Sequence, residues 1–223
     1  MKIGVDVGGT NTDAVVLGPN GVLGWCKTPT TADVYSGVVS AITQAITDAG
    51  ADRADVDCVM IGTTQFTNAV IQRKSLLPVG IIRLALPATS AIPPLTDWPD
   101  DLINKISRNA YLVGGGYEFD GREIAPLDEK GVAAAARDFQ KNSIRAVAIT
   151  SVFSPINGNM ERRAAEIVQN EVPDIAVSLS CELGQFGLLP RENSTIINAA
   201  LSQLSSHVVR ALRRSLQELD LKA

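Results

Sequence analysis

The sequence predicts an α/β fold whose mixed sheet opens with antiparallel hairpins and has helices on its flanks. Two observations carry this prediction. Short apolar runs joined by glycine turns fill the first thirty residues, which is typical of antiparallel strands. From about residue 128 onward, helical patterns alternate with β-rich apolar runs. That alternation indicates helices packed over a central sheet.

The composition is that of a globular protein. Of 223 residues, 45% are hydrophobic and 20% are charged, with a net charge of −4, which is ordinary for this class. A chain of this length can bury roughly 70% of its unfolded surface. The net negative charge does not indicate the basic surface that binding to nucleic acid requires. No apolar run reaches the ~18 residues that a membrane span needs. We therefore expect neither nucleic acid nor membrane as a partner.

Cysteine and histidine are too sparse to form a metal centre. Cys26, Cys58 and Cys181 lie far apart in the sequence, without the spacing of metal ligands. An odd cysteine count and no signal peptide predict a reducing, cytoplasmic location. The single histidine, His207, falls in a strongly helical stretch and is predicted to be a surface residue rather than a catalytic base.

The first seventeen residues contain the strongest functional signal. Two apolar runs flank the segment Asp-Val-Gly-Gly-Thr-Asn-Thr-Asp at 6–13, which predicts strand, glycine turn and strand. Gly8 and Gly9 lack the Cβ atoms that would keep a phosphate away from the backbone amides. Asp6 and Asp13 are candidate catalytic residues and candidate ligands for a metal ion carried by a nucleotide. Short polar donors lie between them, namely Thr10, Asn11 and Thr12.

An ordinary hairpin is the alternative for this segment. Gly-Gly followed by Thr-Asn is common turn chemistry, and Asp13 could simply be solvated at a strand start. The spacing alone does not choose between hairpin and phosphate cradle. A Rossmann fingerprint is disfavoured because the third glycine is missing and a strand, not a helix, follows the turn.

The elements up to residue 61 follow an informative order. Asn20-Gly21 marks a second turn before a strand at 22–27, and a helix with Asp33 as candidate N-cap ends near Gly50. A buried strand is predicted at 57–61. The resulting β-β-β-α-β order resembles the ribonuclease-H-like (actin-like ATPase) half-domain of the actin, Hsp70 and sugar-kinase superfamily. In that half-domain the first hairpin holds phosphates.

A second polar cluster follows this strand. Gly-Thr-Thr at 62–64 leads into a helix predicted to start near Thr64, whose free amides would point to the carboxyl edge of the sheet. Ligands collect at that edge in open α/β sheets. We expect Thr63, Thr64 and Asn68 to line the same cleft as the first turn. The alternative is a capping threonine with a polar helix face.

In the chain that follows, prolines and glycines mark where the predicted elements end. A strand at 78–83 precedes an irregular proline-rich stretch at 86–99. The glycines at 114–116 lead into a hairpin over 111–123, with Asp120-Gly121 at its turn, rather than into a second phosphate loop.

The last third alternates helices and strands. Asp128 and Asn157 are the candidate caps of two helices, strands are predicted at 144–150 and 175–179, and a long amphipathic helix at about 191–219. We expect one domain at 1–190 with a loop- and hairpin-rich insertion at about 84–126. Residues 191–223 would form the helix that leads onward.

Four landmarks in order resemble the N-terminal domain of the hydantoinase/oxoprolinase (hydantoinase A-like) family, and the likeness covers nearly the whole chain. They are GVDVGGTNTDAVVL at 4–17, IGTTQFTNAVIQRK at 61–74, SVFSPINGNMERRAAEIV at 151–168 and SLSCELGQFGLLPRENSTIINAAL at 178–201. The first is shared with the wider superfamily, whereas the second is more discriminating.

The resemblance implies ATP-dependent chemistry on cyclic amides or ketones. Family relatives include 5-oxoprolinase, N-methylhydantoinase and the acetone and acetophenone carboxylases, and their shared logic would be phosphorylation of an amide or enol oxygen. Residues 8–12 would hold the phosphates of ATP, Asp6 and Asp13 would organise Mg²⁺, and Thr63, Thr64 and Asn68 would face the same cleft. A hydantoinase B-like subunit is a further candidate partner.

One departure from the family is clear. Family members are much longer, and their second half brings another Asp-x-Gly-Gly-Thr-type turn, which does not recur here after residue 13. We therefore expect a domain fragment whose long helix leads into a missing C-terminal half, and which is inactive alone.

Two other functions stay open. A sugar or acetate-type kinase would open with a similar motif, but the sugar kinases that do so usually carry a Cys/His zinc cluster. A non-catalytic subunit-interaction domain would instead use the apolar stripe of 197–219 as an intersubunit surface.

Overall fold

The chain folds into two compact units. The computed structural model describes residues 1–31, 34–106, 109–184 and 186–221. One unit comprises Met1–Lys74 and Leu204–Ala223, and the other comprises Ser75–Gln203. The predicted division into a domain at 1–190 and a helix at 191–223 stays a prediction.

The first unit is built on a mixed four-stranded sheet. Its strands are β1 (Lys2–Val7), β2 (Asn11–Gly18), β3 (Gly21–Pro29) and β4 (Cys58–Thr63), in the order β3-β2-β1-β4. The three leading strands are antiparallel, and β4 runs parallel to β1. A parallel pair needs a crossover, which helix α1 (Val34–Ala49) provides. The predicted β-β-β-α-β order is confirmed.

Alternation along the strands separates a core face from an open face. Ile3, Val5 and Val7 of β1 are buried, as are Ala14 and Val16 of β2, because successive side chains of a strand point to opposite faces. They pack against α1 in one hydrophobic core, and the helix contributes Val38, Ala41, Ile42 and Ala45. The open face therefore carries the residues between these buried ones, including both predicted aspartates.

The ends of this sheet and its helix refine two expectations. Strand β4 was predicted to be buried, but its residues are half-buried or exposed because it lies at the sheet edge. Gly50 ends α1 with φ +58°, as expected for a left-handed helix terminus. The candidate cap Asp33 lies outside the described residues.

The second unit contains a parallel sheet. Its strands are β5 (Val79–Leu86), β6 (Ala110–Gly114), β7 (Ala146–Ser151) and β8 (Ala176–Leu179), in the order β6-β5-β7-β8. All neighbouring pairs are parallel. Its helices include α3 (Asp100–Ile106), α4 (Glu129–Lys141) and α5 (Asn159–Glu171). Helices α4 and α5 share a core with β5 and β7, as the βαβ rhythm predicted.

The predicted hairpin over 111–123 is wrong for its first half. Ala110–Gly114 is a parallel strand beside β5, and the hairpin is reduced to one isolated bridge between Tyr117 and Glu123. The turn at Asp120-Gly121 does occur, with the Gly121 amide donating to Glu118 at 3.0 Å. Pairing with β5 is a long-range contact, so the local glycine pattern could not reveal it. Helix α3 was not predicted either.

Helix capping follows the sequence closely. The Asp128 carboxylate accepts a hydrogen bond from the Gly131 amide at 2.9 Å, as predicted for an N-cap. At α5 the N-cap residue is Gly158, one position later than predicted, although Asn157 accepts a hydrogen bond from the Asn159 amide at 3.0 Å. The long final helix is confirmed as α6 (Leu188–Glu218), whose 31 residues begin before the predicted start.

The core of the second unit contains a fully buried ion pair that sequence analysis did not anticipate. Two nitrogens of Arg83 on β5, Nε and Nη2, each lie 2.6 Å from a carboxylate oxygen of Glu192 on α6, and both side chains are inaccessible to solvent. Such bidentate geometry compensates the desolvation of both charges.

A second buried polar network joins the third and fourth landmarks. Glu161 accepts hydrogen bonds from the Ser151 amide, the Ser180 hydroxyl and the Cys181 amide. Arg191 donates to the Ser180 hydroxyl at 3.0 Å. Burial, together with the negative charge of Glu161, raises the pKa of the Cys181 thiol to about 12, so this cysteine is a poor nucleophile at neutral pH.

Removing one partner of the buried pair tests its role. We expect Glu192→Gln to lower the free energy of unfolding by about 3–5 kcal/mol, because Arg83 keeps a buried charge without a counterion. Urea unfolding measures this loss. The double variant Arg83→Leu/Glu192→Leu should lose less than Glu192→Gln, since neither charge remains.

The matched control is Glu166→Gln, because Glu166 pairs with Arg163 on the surface. We expect this control to change stability by about 0.5 kcal/mol or less. Equal effects of Glu192→Gln and Glu166→Gln would show that the buried pair is not a stability determinant.

Candidate functional site

The glycine turn of the first unit allows a close backbone approach. The Gly8 amide donates to the Asn11 carbonyl at 2.9 Å, closing the turn between β1 and β2. A Cβ atom on Gly8 would lie 2.9 Å from that carbonyl, and one on Gly9 would lie 3.4 Å from the Asn68 side-chain amide. Neither glycine has a positive φ, so at Gly8 the lack of space beside the Asn11 carbonyl, rather than backbone strain, excludes a side chain. Within the described residues the amides of Gly9 and Thr10 donate to no acceptor.

The Gly-Thr-Thr segment lies beside this turn. The Thr63 hydroxyl donates to the Val7 carbonyl at 3.0 Å and accepts from the Gln65 amide at 3.2 Å, at the start of α2 (Gln65–Gln72). The Asn68 side-chain amide lies 3.5 Å from the Thr64 hydroxyl. The first turn of α2, with its positive dipole end, therefore adjoins the glycine turn.

The two aspartates face each other on the open side of the sheet. Asp6 and Asp13 are direct partners in the β1–β2 register, and Gly62 is the partner of Asp6 on β4. Gly62 leaves room there, since its Cβ would come 3.8 Å from an Asp6 oxygen. Asp13 also forms an ion pair with Lys27, with Nζ and Oδ1 2.9 Å apart. Asp6 has no such cationic partner among the described residues.

Thr12 occupies a different position from the other predicted residues. Its side chain is only 1% exposed, on the core side of the sheet, with its hydroxyl 3.1 Å from the Thr30 hydroxyl. Thr30 in turn donates its hydroxyl to the Gly8 carbonyl at 2.9 Å and its amide to the Thr10 carbonyl at 2.8 Å. Thr12 and Thr30 thus support the turn from beneath.

Sequence reasoning missed Thr30. The available signal was the hydroxyl-rich segment Thr-Pro-Thr-Thr at 28–31, directly after a strand. Its meaning depends on β3 pairing with β2, which brings residue 30 under the glycine turn.

A shallow apolar depression of about 530 Å³ lies next to the aspartates on the open face. Its lining includes Val15, Trp25 and Met60 together with Asp6 and Asp13. Cys26 borders the same depression, and burial, followed by the nearby carboxylates of Asp48 and Asp13, raises the pKa of its thiol. The face therefore presents carboxylates beside an apolar surface.

The described residues contain no cluster of three or more His, Cys, Asp or Glu side chains that could hold a metal ion by themselves. Asp6 and Asp13 nevertheless fit Mg²⁺, which is commonly held by one or two carboxylates together with phosphate oxygens and water.

None of the helices in the described part of the chain is long and apolar enough to cross a bilayer.

A comparison with known families identifies the chain. Residues 2–172 match the sequence model of the hydantoinase/oxoprolinase N-terminal region. The chain belongs to this family. The matched range includes every predicted site residue, both at the glycine turn and at the start of α2.

Curated relatives of this family member are much longer. The caprolactamase subunit alpha of Pseudomonas jessenii is 29% identical over 98% of this chain and 34% of its own length. An uncharacterized protein of Methanocaldococcus jannaschii is 28% identical over 97% of this chain and 33% of its own length. The chain thus spans about a third of the length of these relatives.

Two solved structures share the fold. The ATP-dependent caprolactamase from Pseudomonas jessenii superposes with a TM-score of 0.77 at 26% identity, over 98% of this chain and 34% of that one. A nucleotide-free acetone carboxylase superposes with a TM-score of 0.77 at 21% identity, over 96% of this chain and 34% of that one. The predicted fold class, an actin-like ATPase type of α/β fold, is confirmed.

Removing the Thr30 hydroxyl tests the support beneath the turn. We expect Thr30→Val to cost about 1 kcal/mol of unfolding free energy and to accelerate hydrogen exchange at the Gly8 amide. Thr30→Ser, which keeps the hydroxyl, should restore slow exchange. Unchanged Gly8 exchange in Thr30→Val would show that this hydroxyl does not hold the turn.

Proposed function

We propose that this chain is the N-terminal nucleotide-binding part of an ATP-dependent enzyme that acts on a cyclic amide such as a lactam or hydantoin. The single observation that carries the proposal is the meeting of the glycine turn with the start of α2. Gly9 lies against Asn68, so two sets of backbone amides border the same space. Such concavities, close to a helix N-terminus, suit phosphate groups.

The residues divide into three roles. The amides of Gly9 and Thr10 and the side chains of Thr10, Thr64 and Asn68 bind phosphate oxygens of ATP, while the Gly8 amide closes the turn through the Asn11 carbonyl. Thr12, Thr30 and Thr63 hold the two segments in place through the hydrogen bonds described above.

Asp6 and Asp13 would hold Mg²⁺ jointly with the phosphates. The ion supplies charge neutralisation during phosphoryl transfer when it is bound. Asp6 is the stronger candidate for direct contact, because Lys27 shares the charge of Asp13. Lys27 also keeps the Asp13 carboxylate oriented on the open face.

The name of one relative supports the substrate class that we propose. The caprolactamase relative is ATP-dependent and by name acts on a lactam. We propose the following sequence here. Transfer of the γ-phosphoryl group from ATP to the amide oxygen releases ADP and makes the ring carbonyl carbon susceptible to attack by water. The ring C–N bond then breaks with the nitrogen leaving as an amine, and hydrolysis of the resulting acyl phosphate releases inorganic phosphate and the open-chain amino acid. A ketone, activated through its enol oxygen, is the corresponding substrate in a carboxylase.

The chain alone contributes one side of such a site. It has one Asp-x-Gly-Gly-Thr turn and spans about a third of its relatives. The partners that we propose are the C-terminal part of the full-length protein and a hydantoinase B-like subunit. The proposed location is the cytoplasm.

Nucleotide binding can be measured on the chain itself. We expect titration of the ¹⁵N-labelled protein with Mg-ATP to shift the amide resonances of Gly8–Thr10, Thr64 and Asn68. Asp6→Asn should weaken Mg-ATP binding about tenfold and reduce the dependence of affinity on Mg²⁺, because a carboxylate ligand is lost. Asp48→Asn is the control, since Asp48 lies on the exposed side of α1. Shifts confined to other regions would contradict the proposal.

ATP turnover is the complementary measurement. We expect no appreciable phosphate release from Mg-ATP by the purified 223-residue chain, because a second phosphate turn is missing and the γ-phosphoryl group is contacted from one side only. Measurable turnover that Asp6→Asn abolishes would overturn the expectation of an inactive chain.

A further inference from the structure

The large exposed apolar side chains of the second unit all lie in loops at the same edge of its sheet. All four strands of its sheet are parallel, so their carboxyl ends meet at one edge. The loops that follow β5, β6, β7 and β8 carry every exposed large apolar residue of this unit in the described part of the chain. These residues are Ile92, Phe119, Ile156, Leu183 and Phe186.

The opposite edge of the same sheet lacks this feature. In the described residues, the loops that lead into the amino ends of the strands expose no large apolar side chain. Phe119 is 71% exposed and Phe186 is 62% exposed at the carboxyl edge. Single exposed apolar residues are normal, but a set confined to one side of a unit indicates an interaction surface.

A small-molecule crevice does not account for this surface. In open parallel sheets the ligand crevice forms where the strand order reverses, which here is between β5 and β7. That position is occupied by backbone. The Val152 amide donates to the Leu84 carbonyl at 3.4 Å, and the Tyr117 amide donates to the Val152 carbonyl at 3.2 Å. A Cβ on Gly116 would come 2.9 Å from the Leu84 carbonyl, so the loop after β6 seals the crevice.

The charge of these loops favours a partner of opposite sign. The loops at 87–99, 115–128, 152–158 and 180–187 contain a single basic residue, Arg122, which pairs with Asp120 at 2.7 Å. Their acidic residues are Asp97, Glu118, Asp120, Glu123, Asp128 and Glu182. Two copies of this chain meeting through the same surface would bring acidic loops together. A different partner with basic residues around an apolar centre fits better.

We propose that this surface, defined by Ile92, Phe119, Ile156, Leu183 and Phe186, docks a second, non-identical subunit whose contact area is apolar with a Lys/Arg border. This inference rests on the proposed function, because the caprolactamase relative is named as the alpha subunit of its enzyme. The aromatic side chains act as the anchors of the interface, and the acidic border sets partner choice and association rate.

The test uses the purified hydantoinase B-like subunit of the same organism as the probe, with affinity measured by biolayer interferometry. We expect the double variant Phe119→Ser/Phe186→Ser to bind it about 30-fold more weakly, and Ile156→Ser to weaken binding in the same direction. Val22→Ser is the matched control, since Val22 is an exposed apolar residue of the first unit. It should bind like the wild type.

A charge variant keeps the test decisive if an aromatic variant folds poorly. Glu118→Lys/Glu182→Lys changes only exposed residues and should slow association and reverse its salt dependence. Circular dichroism and melting temperature check the fold of each variant.

Several outcomes would overturn the proposal. They are equal affinity in all variants, weakening only in Val22→Ser, absence of any binding by the B-like subunit, and self-association that the same substitutions abolish. Mg-ATP titration of the same variants separates this proposal from the nucleotide site. Variants that lose subunit binding but keep the amide shifts caused by Mg-ATP support the proposed surface. A wild-type chain that binds the subunit but shows no amide shifts with Mg-ATP contradicts only the nucleotide proposal.

Discussion

The candidate site depends on the register of β1 with its two neighbours. Pairing with β2 sets Asp6 opposite Asp13, and pairing with β4 sets Val7 opposite Thr63. A shift of one residue between β1 and β2 would send an aspartate into the core, and a shift of one residue between β1 and β4 would move the Thr63 hydroxyl away from the Val7 carbonyl. The apolar residues at alternate positions of β1 resist such a shift, since they must stay packed against α1. The core of the first unit therefore specifies the geometry of its polar face.

The two units use buried and exposed polarity in different ways. In the second unit, Arg83 and Glu192 pair without solvent, and Glu161 and Arg191 hold together the loops after β7 and β8 through Ser151 and Ser180. This makes the carboxyl-edge loops firm supports for exposed side chains. In the first unit Thr10 of the glycine turn and Thr64 at the start of α2 stay at the surface, where a ligand can reach them.

Sequence patterns predicted much of this architecture because most of its signals are local. The three leading strands, the α1 crossover, the Asp128 cap and the long α6 all follow from periodicity and turn residues. Strand β6 was missed because Ala110–Gly114 is recognisable as a strand only through its pairing with β5. Thr30 escaped for the same reason, since its partners Gly8 and Thr12 are distant in sequence.

The sequence by itself determined the family, the order of elements in the first unit and the identity of the polar residues around the glycine turn. Short motifs reveal these properties, because the types of residue in a motif are enough to show its chemistry. Only the tertiary structure decided which side each residue faces. It placed Thr12 in the core and Asp6 on the open face, and it paired Asp13 with Lys27. Facing depends on strand register and on packing against α1, which are long-range contacts that no local pattern records.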